Sequence, residues 1–421
     1  MLAYFLFFIY LFSGTILLHI IIRRKIFPFT LYHTTAIVFF KVFMGCLYGW
    51  IFLHFYSGDD TWNYFIESKD ETGILLRHPL QFMREFSPVH SLRATGYHGW
   101  EAFLFYVNHF ERWFMIKGLA FLNLLSGKNY YTNVLLFEFL TIPGPLLLFK
   151  LLAREFPLRV GMNFLLVFFI PSIVFWCSGI RAEALLLLFI VLMIYNGRQY
   201  ARKPGWLNGI GILAGFTGML LIRYQFLVVL IPGYVGYLIS MGKKETSPLF
   251  FNRIFLAAII VFGLSLFLPP AYQLSGPLRH AQQSFFLLKG NTRYGLDSLK
   301  PGPISFLKVL PQAVANSALR PYPWEGKNLL QSVSSIEVLF LIAGVIYFVL
   351  GPRPKHQIAH PIYWLFLYYG VSLFILIGYT VPFPGAIVRY RSIALLMLVL
   401  FLYAGNPFLQ RKLRKWIFKL H

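Results

Sequence analysis

Carboxylates are scarce in this chain. Its 421 residues include 15 Asp and Glu against 38 Lys and Arg, and the charged residues together make up 13%. A soluble domain carries roughly twice that charged fraction. With 58% hydrophobic residues, too little polar surface is left to cover a water-soluble fold, which excludes an ordinary globular domain. Cysteine is nearly absent. Cys46 and Cys177 both fall in or at the end of apolar runs, so a disulfide framework and a cysteine metal site are excluded. The sequence shows no internal repeat, low-complexity tract or appended soluble domain. It also lacks the alternating segments of about ten residues that mark a membrane β-barrel. Met1 leads directly into an apolar run without a basic flank or a small-residue cleavage site, so that run is expected to stay as a helix.

What the chain has in abundance is continuous apolar sequence, with aromatics at 19% and 46 Phe. The runs are about 16–24 residues long, the length of a bilayer-spanning helix. The expected fold class is an all-α polytopic integral membrane protein, one membrane domain over 1–421 with about 11 transmembrane helices. The expected spans are 2–22, 33–56, 130–150, 159–177, 183–196, 206–222, 225–241, 253–271, 334–351, 361–380 and 391–406. Segment 112–126 is apolar but short and interrupted by Lys117, so it reads as either a half-span or an interfacial helix.

The formal net charge of +23 does not point to nucleic acid, because the basic residues cluster in short connections. Arg23-Arg24-Lys25, Lys150 with Arg154 and Arg159, and Arg198 with Arg202 and Lys203 follow alternate spans. So do Lys243, Lys244 and Arg253, then Arg353 with Lys355, then the tail from Arg411 to Lys419. This is the positive-inside pattern. It puts the N-terminus outside, the C-terminus in the cytoplasm, and two long segments, 57–129 and 272–333, on the external face. Loops of that length are usually functional. Pieces 74–86 and 100–116 of the first are amphipathic and suited to the membrane surface.

Against that pattern the external polar residues stand out. Asp59 and Asp60 follow the second span in Ser57-Gly58-Asp59-Asp60-Thr61-Trp62-Asn63-Tyr64-Phe65. Arg181 and Glu183 occupy a short turn, Arg223 another, and Arg389 and Arg391 precede the last span. Arginine grips phosphate bidentately and keeps its charge, while a nearby carboxylate can take a proton from a hydroxyl. Each also has a plain reading, as a helix cap or a residue reaching the lipid headgroups. Glu138 lies inside a span and is expected to pair with Lys41 of the second. His78, His90 and His98 do not have the spacing of a compact metal motif. Trp62, Tyr64, Trp100 and Trp113 read first as an interfacial aromatic belt.

Together these motifs resemble the GT-C superfamily of polytopic glycosyltransferases, which use polyprenyl-phosphate-linked sugars. Gly58-Asp59-Asp60-Thr61-Trp62-Asn63-Tyr64-Phe65 looks like the acidic motif of that family's first external loop. Pro171 to Glu183 resembles a turn recurring in bacterial members, and Arg389-Tyr390-Arg391 is similar to a late external arginine motif. The resemblance covers most of the chain as topology but only about thirty residues as motifs. One departure is the extra apolar run before the usual first helix.

The resemblance implies transfer of a sugar, with inversion, to an unknown acceptor on the external face of a bacterial inner membrane. It makes Asp60 or Asp59 the base, with Asp60 slightly favoured, and gives the donor phosphate to Arg181, Arg223, Arg389 and Arg391. Glu183, Arg320, Trp324, Glu325, Tyr64 and His98 become sugar or acceptor candidates. No cofactor is required, and a divalent metal is possible but not indicated. The expected partners are the polyprenyl-phosphate donor, the acceptor and the lipid bilayer, with no nucleic acid. The alternatives are a polysaccharide polymerase or ligase using polyprenyl pyrophosphate, and a transporter or flippase of lipid-linked glycans. A flippase would need a midplane site, for which only Lys41 and Glu138 stand out.

Overall fold

The computed structural model describes residues 2–241, 248–289, 292–326, 329–350 and 360–403. The expected basic clusters at Lys243 and Lys244, at Arg353 and Lys355, and in the tail lie outside the described residues, as does the end of the last expected span.

Among the described residues every regular element is helical. The chain opens with α1 (Leu2–Lys25) and α2 (Leu31–Tyr56), then α3 (Asp60–Arg77), α4 (Pro79–Arg84), α5 (Val89–Thr95) and α6 (Gly99–Ser126). It continues with α7 (Tyr130–Thr141), α8 (Pro143–Glu155), α9 (Val160–Phe168), α10 (Pro171–Trp176), α11 (Ala182–Arg202) and α12 (Trp206–Met241). It closes with α13 (Pro248–Ser265), α14 (Gly276–Leu287), α15 (Pro303–Val314), α16 (Leu329–Leu350), α17 (Pro361–Thr380) and α18 (Pro384–Tyr403).

Among the described residues, eight helices are long and apolar enough to cross a membrane, the mark of a helical integral membrane protein. Several expected boundaries change. Segment 159–177 is not one helix: it is divided into α9 and α10 between Phe168 and Pro171, where Pro171 cannot continue the hydrogen-bond ladder. The expected spans 206–222 and 225–241 are joined without a loop, and the backbone leaves helical geometry at Arg223 (φ −152°, ψ 77°). The expected span 253–271 is displaced toward the N-terminus and runs from Pro248 to Ser265. Segment 112–126 is the second half of a 28-residue helix that starts at Gly99. The amphipathic piece 74–86 is cut at His78, where Pro79 starts a separate helix.

The chain forms two compact units. The first comprises Met1–Glu155, Val167–Phe169 and Ile173–Leu227; the second comprises Phe156–Leu166, Ile170–Ser172 and the described part of Val228–His421.

In the first unit α2 carries two small residues one turn apart. A Cβ on Gly45 would stand 2.7 Å from the Gly179 nitrogen, and one on Gly49 would overlap the Tyr130 ring. Glycine at these places therefore lets α7 and the turn before α11 approach the α2 backbone. Ser57 (φ 56°) and Gly58 (φ 97°) then turn the chain through left-handed geometry, and Asp59 starts α3 as its N-cap. α3 lies along α6 by a seam that is apolar at Phe65, Met115 and Leu119 and polar beside it. There Asn123 donates to Ser68 Oγ at 2.9 Å and Thr72 Oγ1 at 3.1 Å, and accepts from Asn133 at 2.6 Å. Asp59 follows the C-terminal end of α2. At the other end of this unit Phe29 stacks on Phe149 and the C-terminal turns of α8 and α11 are tied by the buried Glu155–Arg198 pair.

In the second unit α17 and α18 pack closely, with Gly370 against Leu398. Gln282 of α14 fastens the irregular segment before α15 to α17. Its amide donates to Tyr379 O at 2.8 Å and Asp297 O at 3.1 Å, and accepts from Leu299 N at 2.7 Å.

Candidate functional site

The first unit gathers the acidic motif around one buried arginine. Asp59 uses both carboxylate oxygens. Its Oδ1 accepts from Thr61 N at 3.1 Å, Thr61 Oγ1 at 2.7 Å and Trp62 N at 3.4 Å. Its Oδ2 accepts from the Tyr48 hydroxyl at 2.5 Å and from Arg181 Nη1 at 3.1 Å. Arg181 is 3% exposed. It also donates to the Tyr48 hydroxyl and from Nε to Glu183 Oε2 at 3.2 Å. Its guanidinium lies 4.9 Å from the Tyr48 ring centroid and 5.9 Å from that of Trp176. One cation is thus flanked by two carboxylates and two aromatic faces, the setting in which a buried arginine keeps its charge.

Asp60 differs from its neighbour. It is the first residue of α3 and is exposed, beside the helix N-terminus that favours a carboxylate. Adjacent acids therefore have separate settings: Asp59 is saturated by donors, whereas Asp60 faces outward.

The turn carrying Arg181 is itself anchored. Lys41 meets Glu138 at 2.6 Å, as the sequence led us to expect. Lys41 also donates to Cys177 O at 2.5 Å and Ser178 Oγ at 3.3 Å. Glu138 Oε1 accepts from the Gly179 N–H. Gly179 has φ +77°, a left-handed conformation that glycine adopts without strain. The ion pair inside α2 and α7 therefore fixes the segment that leads to Arg181.

Trp62 is packed inward rather than belonging to a surface belt. Its ring stacks on Tyr130 at 3.8 Å and 7°, and its Nε1 donates to Gly49 O at 2.9 Å. Tyr64 is half-buried against the same core. Trp113 is half-buried with the Lys117 ammonium 5.4 Å from its ring, while Trp100 is exposed. Lys117, fully buried, meets Glu71 at 2.6 Å. Arg223, at the break in α12, pairs with Glu111 of α6 at 3.2 Å. His98 is exposed just before α6.

The second unit holds the later candidates. Arg391 is buried, and its fork is spent on the protein. Nη1 donates to Ser317 O at 2.9 Å and to Arg320 O, and Nη2 donates to Ser334 Oγ at 2.7 Å. Arg389 is half-buried and donates to the Tyr390 hydroxyl at 2.8 Å. Arg320 lies 4.4 Å from the Tyr294 ring centroid and pairs with Glu325 at 3.2 Å. Trp324 is 80% exposed and stacks on Tyr322 at 5.0 Å. Burial, reinforced by the Glu325 charge, pushes the Tyr294 phenol up to about 12, so it stays protonated at neutral pH.

Sequence reasoning missed Glu337. It lies in α16, accepts from Ser172 N at 2.7 Å and from the Ser172 hydroxyl, and is buried. The signal was there: an acid within an apolar helix is costly and needs a partner. Among the described residues, no three His, Cys, Asp or Glu side chains are grouped to hold a metal ion.

No protein family, curated protein or solved structure matches the chain. The functional reading therefore rests on these residues.

Proposed function

We propose that the protein is a membrane glycosyltransferase that moves a sugar from a polyprenyl-phosphate donor to an acceptor, with inversion at the sugar. The observation that carries this reading is the junction of Asp59, Asp60, Arg181 and Glu183 at one end of a membrane-helix unit. Asp60 is the base, because its carboxylate is exposed, while Asp59 holds Arg181 in place. The Asp60 carboxylate takes the acceptor's hydroxyl proton, and the acceptor oxygen attacks the anomeric carbon. The bond from that carbon to the phosphate oxygen breaks, and the electron pair leaves with the polyprenyl phosphate. Positive groups near the departing phosphate stabilise its growing charge.

In this reading the chain sits in a bacterial inner membrane with the acidic end outside. The separation of Asp59 and Arg181 from the basic end that holds Arg154, Arg198 and Arg202 supports that orientation. The depth-buried Lys41–Glu138 pair reads as an anchor of the Arg181 turn, so it gives a transport site no added weight.

The test uses the full chain in nanodiscs with polyprenyl-phosphate hexoses radiolabelled in the sugar, supplied with membrane acceptors. Asp60→Asn is expected to lower transfer by at least about 100-fold, the usual scale of general-base catalysis, with helical content unchanged. Asp59→Asn should lower both transfer and thermal stability. Full transfer by Asp60→Asn would end the base assignment.

A further inference from the structure

The α4–α5 segment presents features that sugar transfer does not use. α4 has six residues and α5 seven, far too few to span a bilayer. α4 is held by its inner face: Phe82 is fully buried, 5.4 Å from the Phe121 ring of α6, with the Lys117 ammonium 4.5 Å from its own ring. The outer face carries Leu80 and Met83, three residues apart and 76% and 59% exposed. Such large apolar side chains side by side on a short helix call for a cover.

Beside that ridge runs an open groove lined by Gln81, Arg84, Glu85, Val89, His90 and Arg93. Its acid, Glu85, accepts a hydrogen bond from Gln81 at 3.2 Å. Arg84 and Arg93 are exposed, so the groove attracts anions. An apolar ridge flanked by arginines is the pattern of a helix seated in the headgroup layer.

The surroundings identify the cover as lipid. On α6, which carries α4, Phe121, Leu124 and Leu125 are exposed. The Leu125 carbonyl accepts from the Tyr10 hydroxyl of α1 at 3.1 Å. α1 is predominantly apolar up to its basic last turn and scarcely buried within the protein, as a helix facing hydrocarbon would be. α4, which rests on α6 through Phe82 and Phe121, is thus carried by a helix that adjoins a membrane-spanning one.

We propose that α4 and α5 form an interfacial site for anionic lipid. Leu80 and Met83 enter the bilayer edge, and Arg84, Arg93 and His90 receive the lipid phosphate. The site is separate from Asp60, so its loss leaves the transfer chemistry in place.

The experiment places the full chain in nanodiscs of phosphatidylcholine with a minor share of phosphatidylglycerol, and counts retained lipid by native mass spectrometry. The protein should retain phosphatidylglycerol preferentially. Arg84→Ala with Arg93→Ala should reduce that retention by roughly fivefold per arginine, about 25-fold in all. A spin label on Leu80→Cys should be relaxed by oxygen more than by a water-soluble nickel complex. Equal phosphatidylglycerol retention by the parent and the double variant overturns the headgroup site. A label that meets the nickel complex more readily than oxygen also overturns the proposal, and would leave the ridge as a docking surface for a protein.

Discussion

Replacing Glu138 should expose how the Arg181 turn is held. The Lys41–Glu138 contact is 2.6 Å, with the two side chains 12% and 2% exposed. At an effective dielectric of about 20 the attraction at that distance is about 6 kcal/mol before desolvation is subtracted. Much of that gain offsets the cost of removing two charges from water, so the pair taken whole is worth little. Removing one partner is different. Glu138→Leu leaves the Lys41 ammonium facing the Cys177 carbonyl and the Ser178 hydroxyl, and leaves the Gly179 N–H without its acceptor. Breaking such a pair costs about 3–5 kcal/mol. At roughly 2 °C per kcal/mol for a chain of this size, that lowers the melting temperature by about 6–10 °C. Adding Lys41→Met removes the stranded charge and should recover more than half of the loss. Thermal unfolding in detergent, followed by tryptophan fluorescence, reads both effects. If the single and double variants melt together, the pair does not act as a charge-compensated anchor.

Two further outcomes follow from close contacts. Gly45→Ala places a methyl group 2.7 Å from the Gly179 nitrogen and 2.9 Å from Glu138 Oε1; it should destabilise by about 1–3 kcal/mol, read as a lower melting temperature. Arg391→Met removes the donors to Ser317 O, Arg320 O and Ser334 Oγ. It should cost about 3 kcal/mol and make the segment after Val314 cleavable in limited proteolysis, while an unchanged digestion pattern would deny Arg391 its tying role.

Charge inside an apolar run was the most legible signal. Lys41 and Glu138 stood out because each needs a partner, and the partnership was readable before any geometry. Glu337 carried the same signal but sits near a helix start amid Ser334 and Ser335, where it passes for the polar edge of a span. Its partner, Ser172, is 165 residues away, and no local pattern announces a contact that distant. The Asp59–Asp60 motif was legible as a site, but its division of labour was not. Which acid turns inward depends on Tyr48 and Arg181, which the sequence sets 11 and 122 residues from Asp59. Hydropathy fixed where apolar helices run and divided one run at Arg223, yet it could not see that α12 continues there without a loop, nor the break between α9 and α10. Such breaks depend on single residues, which a window of about nineteen averages away.

The separations spanned by the two buried arginines bear on how the protein is made. Asp59 leaves the ribosome long before Arg181, and the carbonyls of Ser317 and Arg320 wait a further 74 and 71 residues for Arg391. At about 5–20 residues per second, the acidic loop spends roughly 6–24 s without its cation. The segment after α15 waits for the last described helix. Each polar cluster is therefore closed by a helix inserted later, and a chain halted before Arg391 would carry every residue of the acidic cluster while its later loop stayed untied.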